Sequence, residues 1–280
     1  MIKTTLISLL FLHLVCGRGV NFGYHARVGI PRAEELLKNE RARIIGGSQV
    51  ASASVVPYQA GIIATLTNKQ QSICGGSLIS TTSVLTAAHC WWDGVNRAQT
   101  FTVVLGSVIF FSGGTRVDTS NVVVHNSWNP NAAGVPNDIA VAKIRAVSLS
   151  NTIQLVPLPS TTPNLAGMTG TISGFGKTSD AQTSYPATTA LHSTTVTIIT
   201  NPVCQQRLKM NILDSQLCTD GTGKKGTCDG DSGGPLTVML NNRATLVGIV
   251  SFGPEEGCEA GLPSVFTRVT SFLTWIRANM

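Results

Sequence analysis

Charge and aromatic rings are scarce in this sequence: of its 280 residues only 12% are charged and 6% aromatic, against 42% hydrophobic. So much apolar material with so little charge excludes a disordered chain and leaves room for a large buried core. No Cys-x-x-Cys pair is present, which argues against a zinc site. No Asn-x-Ser/Thr triplet occurs, so no N-glycan is expected. No apolar run approaches the ~20 residues of a membrane-spanning helix. The run from Leu6 to Val15 is broken by Ser8 and His13, follows Met1-Ile2-Lys3 and ends at Cys16-Gly17, the pattern of a signal peptide over 1–17. Basic clusters interleaved with aromatics are also missing. The net charge of +6 falls to +2 from Ile44 onward, where 13 Lys and Arg meet 11 Asp and Glu. Neither nucleic acid nor a membrane is an expected partner.

What is present begins with a second N-terminal segment. Residues 18–43 hold few large apolar groups and end in Glu40-Arg41-Ala42-Arg43, followed abruptly by Ile44-Ile45-Gly46-Gly47. This reads as a propeptide with a basic cleavage site. It contains no cysteine, so no disulfide would tether it after cleavage. From Ile44 to Met280 the pattern is short runs of Val, Ile, Thr and Ser separated by Gly, Pro and Asn, among them Tyr58 to Thr67, Phe101 to Leu105, Thr194 to Thr200 and Thr245 to Ser251. Many short strands between turn residues imply an all-β barrel or sandwich. Near the end, Val269, Phe272, Leu273 and Ile276 fall at helical spacing, a terminal amphipathic helix. With Cys16 assigned to the leader, six cysteines remain: Cys74, Cys90, Cys204, Cys218, Cys228 and Cys258. An even number in a secreted chain implies three disulfides, and spacing alone leaves all 15 pairings open.

Three stretches carry chemistry. Cys228-Asp229-Gly230-Asp231-Ser232-Gly233-Gly234-Pro235 sets a serine among glycines, which alone is only a turn. Leu85-Thr86-Ala87-Ala88-His89-Cys90 puts a histidine beside a cysteine at a strand end, and Asn137-Asp138-Ile139-Ala140-Val141 sends an acid into an apolar strand, where it needs a buried partner. Together, in the order His, Asp, Ser, these motifs resemble the chymotrypsin and trypsin family of serine peptidases, and the resemblance extends from Ile44 to Met280. It is greatest toward insect digestive chymotrypsins.

The resemblance implies two six-stranded antiparallel Greek-key barrels, over roughly 44–157 and 158–280, with a C-terminal helix. It implies that Ser232 attacks the scissile carbonyl, that His89 is the general base and Asp138 its orienting partner. The amides of Gly230 and Ser232 would form the oxyanion hole. Cleavage between Arg43 and Ile44 would free an ammonium that pairs with Asp231, and the basic Arg43 implies a trypsin-like activator. The implied disulfides are Cys74 with Cys90, Cys204 with Cys218, and Cys228 with Cys258. The specificity pocket would be formed by Gly226, Thr227, Asp229, Ser251, Phe252, Gly253 and Ser264. Gly226 stands where a trypsin carries an acid, which favours Phe, Tyr, Leu and Met at the cleaved bond. Ser264 replaces a glycine common in chymotrypsins and keeps an elastase-like preference open.

Other expectations follow the same resemblance. Protein and peptide substrates and protein inhibitors are the implied partners, of a monomer needing no metal or other cofactor. The expected setting is extracellular protein digestion, with a gut lumen as one such setting. The alternatives are a cascade protease and an inactive binding homologue. His125 and His192 lack motif context, Trp91 and Trp92 either shape the cleft or pack, and Glu255, Glu256 and Glu259 read as a solvated loop.

Overall fold

The computed structural model describes residues 21–31, 33, 47–180 and 190–280. The expected leader and the Arg43–Ile44 junction lie outside these residues. Two antiparallel sheets organise the described residues. The first holds β2 (Gln59–Leu66), β3 (Gln71–Ser80), β4 (Ser83–Thr86), β5 (Ala98–Leu105), β6 (Thr115–Thr119), β7 (Val122–Val124) and β8 (Ala140–Lys143), in the order β6-β5-β2-β3-β4-β8-β7. The second is built from β9 (Thr169–Gly174), β10 (His192–Ile199), β11 (Gln216–Thr219), β12 (Pro235–Leu240), β13 (Arg243–Phe252) and β14 (Ser264–Arg268), and β9 pairs back on β10 to close it. The second barrel thus has six main strands, with the two-residue β1 (Ser48–Gln49) added beside β10, and the first sheet has seven.

Local sequence explains these elements. In β10, His192, Thr194, Val196 and Ile198 point inward while the residues between them are more exposed, the period-2 pattern of a half-buried strand. Asn241 and Asn242 join β12 to β13 with φ of 49° and 60°, and both central residues of this two-residue hairpin take the left-handed conformation that asparagine tolerates. Each barrel has an apolar cluster, and Leu246 and Ile249 of β13 join that of the first. Ile62, Ile73, Leu85 and Phe101 are fully buried in the first, Ile198, Leu236, Val250 and Phe266 in the second.

The ends of the domain cross between barrels. A short 3-10 turn at Val269–Phe272 leads into the terminal helix, α2 (Leu273–Ala278), and buried Val269 and Phe272 of the turn and Ile276 of the helix join the first barrel's cluster although they follow the second. His125 stacks against Phe272 and Trp275, with ring centroids 5.3 and 5.2 Å away. A further helix, α1 (Asn201–Leu208), was not expected: it has no apolar stripe and buries only Cys204, which is bridged to Cys218. Polar bonds also join the barrels. Tyr58 Oη lies 3.1 Å from Thr237 Oγ1, and Ser173 Oγ donates to Gln59 Oε1 at 2.7 Å.

Leu236 and Met239 share β12, but Met239 is 60% exposed. Leu236→Ala is therefore expected to lower the unfolding free energy by about 2–5 kcal/mol, read from denaturant titration. Met239→Ala should change it by less than about 0.5 kcal/mol. Equal losses would contradict the core assignment.

Candidate active site

The site forms where the barrels meet. Strand β4 ends at Thr86, and one 3-10 turn over Ala88–Cys90 carries His89, tied to β3 by the Cys74–Cys90 disulfide. Asp138 precedes β8, after Asn137 with a left-handed φ of 60°. Both side chains are fully buried. Asp138 Oδ1 accepts the backbone N–H of His89 at 3.0 Å, and Oδ2 accepts from His89 Nδ1 at 2.8 Å, from Ser251 Oγ at 2.7 Å and from Asn21 Nδ2 at 3.0 Å. Its carbonyl accepts from Thr267 Oγ1 at 2.8 Å. Ser251 and Thr267 belong to the second barrel, so one acid is bonded by both.

These partners settle the tautomer of His89. A carboxylate only accepts, so Nδ1 must carry the proton that points to Asp138. The two hydrogens of the Asn21 amide then go to Asp138 Oδ2 and to the carbonyl of Ser251, 3.1 Å away, and its 3.0 Å approach to Nδ1 is a close contact only. Nε2 is left as a bare acceptor. It has no hydrogen-bond partner among the described residues, the Ser232 hydroxyl included. Instead the ring of Tyr24 stands edge-on to the imidazole at 4.5 Å between centroids.

Ser232 lies in the turn before β12, after Gly230 with φ of 95°. Its carbonyl accepts from Gly75 N of the first barrel at 2.7 Å. Among the described residues the amides of Gly230 and Ser232 donate to no acceptor, the state that binding of an oxyanion requires. Asp231 is buried and accepts from Gly176 N at 2.7 Å and Cys228 N at 2.9 Å. A methyl group on Gly176 would lie 2.4–2.5 Å from the Asp231 carboxyl atoms, so a glycine is required there by proximity.

The expected pocket residues come together. Thr227, Asp229, Ser251, Phe252 and Gly253 line a cleft beside Ser232, with Cys228 and Cys258, joined to each other, in its wall. Ser264 Oγ accepts the Thr227 amide at 3.2 Å and would lie 2.9 Å from a Cβ at Gly226, so these two adjoin each other behind Thr227 and are not among the residues that line the cleft. Sequence reasoning missed several neighbours. Lys177 pairs with Asp229 at 2.8 Å. Glu259, read as part of a solvated loop, accepts from Ser179 Oγ and Asp180 N, while Asp180 accepts the amides of Cys258 and Glu259. Asn21 and Tyr24, from the expected propeptide, were missed as well. Trp91 packs on Phe101 at 5.0 Å, and Trp92 is partly exposed. His125, on whose imidazole burial lowers the pKa, lies against α2. His192 is buried in β10, its Nδ1 2.7 Å from the carbonyl of Ala190.

Two antiparallel barrels meeting at a buried Asp–His pair, with a serine in a glycine turn and three disulfides, define a chymotrypsin-like serine endopeptidase fold. The chain belongs to the trypsin family: that family's model matches residues 44–276. Among curated relatives, a brachyurin of Leptuca pugilator is 40% identical over 240 residues, covering 84% of this chain and 98% of its own. A collagenase of Hypoderma lineatum is 36% identical over 248 residues, covering 87% and 90%. The solved structure of HL collagenase superimposes with a TM-score of 0.75 at 36% identity, over 84% of this chain and 98% of that one. The protein is thus a serine endopeptidase that acts on proteins or peptides, similar to invertebrate members of the family.

Crowding at Gly176 generates a stability test. Gly176→Ala is expected to displace the Asp231 carboxylate and cost about 1–3 kcal/mol of unfolding free energy. Gly253→Ala, whose added carbon meets only the Thr227 carbonyl at 4.0 Å, should stay within about 0.5 kcal/mol of the parent. Denaturant unfolding of both variants separates the cases, and equal stability would contradict the proximity.

Proposed function

We propose that the chain is a secreted chymotrypsin-like endopeptidase, made as a zymogen over 18–280 and activated by cleavage between Arg43 and Ile44. Ser232 attacks the scissile carbonyl as His89 Nε2 takes its proton. The imidazolium that results is stabilised by Asp138 and returns the proton to the leaving amine. Gly230 and Ser232 amides hold the oxyanion, each such donor worth roughly 3 kcal/mol of barrier. The new Ile44 ammonium pairs with Asp231, a reading supported by the burial of that acid and by the start of the family match at residue 44. Because Arg43 precedes the cut, a trypsin-like peptidase is the activator. Protein inhibitors, a monomeric state and a digestive, extracellular setting complete this reading.

The observation that supports the specificity is the uncharged pair Gly226 and Ser264, which adjoin each other next to the cleft residue Thr227. Gly226 and Ser264 offer no acid to a Lys or Arg side chain, and the acid at the rim, Asp229, is already paired with Lys177. Large apolar or aromatic side chains are therefore the preferred residues before the cleaved bond. The Ser264 hydroxyl, bonded to the amide of the cleft residue Thr227, supports a second reading, a shorter pocket for small aliphatic residues. A chymotrypsin-like elastase family member 1 of Felis catus, 33% identical, is among the relatives.

The test is to cleave the chain with trypsin, remove the trypsin, and compare matched peptides ending in Phe, Leu, Ala and Arg. Phe or Leu should be turned over at least about tenfold faster than Ala or Arg, and Ser232→Ala should lose about 10⁴-fold or more. Preference for Ala means that Ser264 closes the pocket, and preference for Arg overturns the reading of Gly226. No turnover after confirmed cleavage at Ile44 supports an inactive homologue.

A further inference from the structure

The described part of the N-terminal segment is not a solvated arm. Asn21, Tyr24, His25, Ile30 and Ala33 are at most 7% exposed, and Tyr24, Ile30 and Ala33 are part of the first barrel's apolar cluster. One wide helical turn over His25–Gly29, closed by a bond from Ile30 N to the His25 carbonyl, lies against β3. The polar matching is dense. Gly23 N donates to the Asp93 carbonyl at 2.8 Å, His25 N to the Asp93 carboxylate at 2.6 Å, and Tyr24 Oη to the Ile73 carbonyl at 2.9 Å. His25 Nδ1 lies 2.8 Å from Ser72 Oγ. A methyl group on Gly29 would come within 1.7 Å of Ser72 Oγ, so the backbone touches β3 where no side chain fits.

This segment covers the reacting groups. Tyr24 stands edge-on to the imidazole of His89, and Asn21 occupies both Asp138 Oδ2 and the Ser251 carbonyl, a group the substrate backbone would use. We propose that residues 21–33 are an inhibitor built into the chain, seated in a peptide-binding site formed by β3, the Cys74–Cys90 bridge and Asp93, and that the segment keeps affinity for this site once cut free. The inference rests on the reading of His89 and Ser232 as reacting residues, but its binding test does not. Between Ala33 and Ile44 there are 10 residues, long enough to reach about 35 Å when extended. Cleavage at Arg43 therefore does not itself evict the segment. It turns an intramolecular contact into an intermolecular one, with no cysteine to retain it, and dilution does the rest.

His25 makes the seat sensitive to acid. Burial pushes its pKa down to about 4, with Asp93 raising it and His89 lowering it further, and Nε2 has no hydrogen-bond partner among the described residues. Free in solution the same group has a pKa of about 6.5. A lowered pKa means that the seated form prefers neutral His25. Docking is then at full strength above pH ~6.5 and is lost as pH falls toward ~4. The groups that face His25 are Ser72, Asp93, His89 and Tyr24.

The experiment uses trypsin-cleaved Ser232→Ala chain, which cannot digest the ligand, and a synthetic peptide of residues 18–43, with calorimetry as the readout. The peptide is expected to bind at pH 8, with Gly29→Ala and Tyr24→Ala peptides at least about tenfold weaker. Binding should fall about 30-fold between pH 8 and pH 5, and a His25→Gln peptide should lose that dependence. In active cleaved enzyme the same peptide should compete with substrate. Absence of binding at about 1 mM peptide, or a Gly29→Ala peptide that binds as well as the parent, overturns the proposal. If the cleaved parent enzyme turns over no substrate while the peptide still binds, the peptidase reading has failed and the docking site stands.

Discussion

A carboxylate shut away from water must be surrounded by donors, and in this molecule that constraint falls on Asp138. Its donors come from distant parts of the chain: the His89 turn of the first barrel, Ser251 of the second, and Asn21 of the N-terminal segment. Its carbonyl is bonded by Thr267 of the second barrel. One buried charge thereby fixes how the barrels meet and which nitrogen of His89 carries the proton. Removing a partner from such a group costs on the order of 3–5 kcal/mol, because the charge stays buried.

The neighbouring acid, Asp231, meets the same requirement differently. It rests on the backbone amides of Gly176 and Cys228, which rotamer changes cannot withdraw, and it sits one residue from Ser232. Asp138 instead takes one backbone amide, that of His89, and three side-chain donors, and one of these, Asn21, belongs to a segment proposed to leave. Its departure leaves the acid with the amide and Nδ1 of His89 and with Ser251 Oγ. The seated segment thus covers the site and also shares the first barrel's apolar cluster through Tyr24, Ile30 and Ala33, and the bonds that remain on Asp138 after it leaves all come from the barrels themselves.

The barrels were legible because strand alternation and turn residues are local: the β10 pattern and the Asn241-Asn242 hairpin can be read from a few neighbouring residues. The Asp–His pair was legible through an acid and a histidine out of place at strand ends. The disulfide pairing observed here was indicated only by the family resemblance, since six cysteines do not specify their partners. Helix α1 was hidden by its lack of an apolar stripe. Lys177 gave no signal because its partner, Asp229, lies 52 positions away. The seat of residues 21–33 is made by bonds that span 47 to 230 positions, and no period in the sequence reports them. The one hint was the density of ring-bearing residues in Asn21-Phe22-Gly23-Tyr24-His25, within a segment otherwise poor in large apolar groups.

The most direct measurement of the central claim is the protonation of His89 in the uncleaved chain. Nitrogen NMR of histidine-labelled protein at pH 8, assigned with a His89→Gln variant, distinguishes the two neutral tautomers. A proton on Nδ1 and a bare Nε2 is the expected state, reversed to a proton on Nε2 in Asp138→Asn. A proton on Nε2 in the parent chain would contradict the account, because Asp138 would then not be the group that orients the histidine.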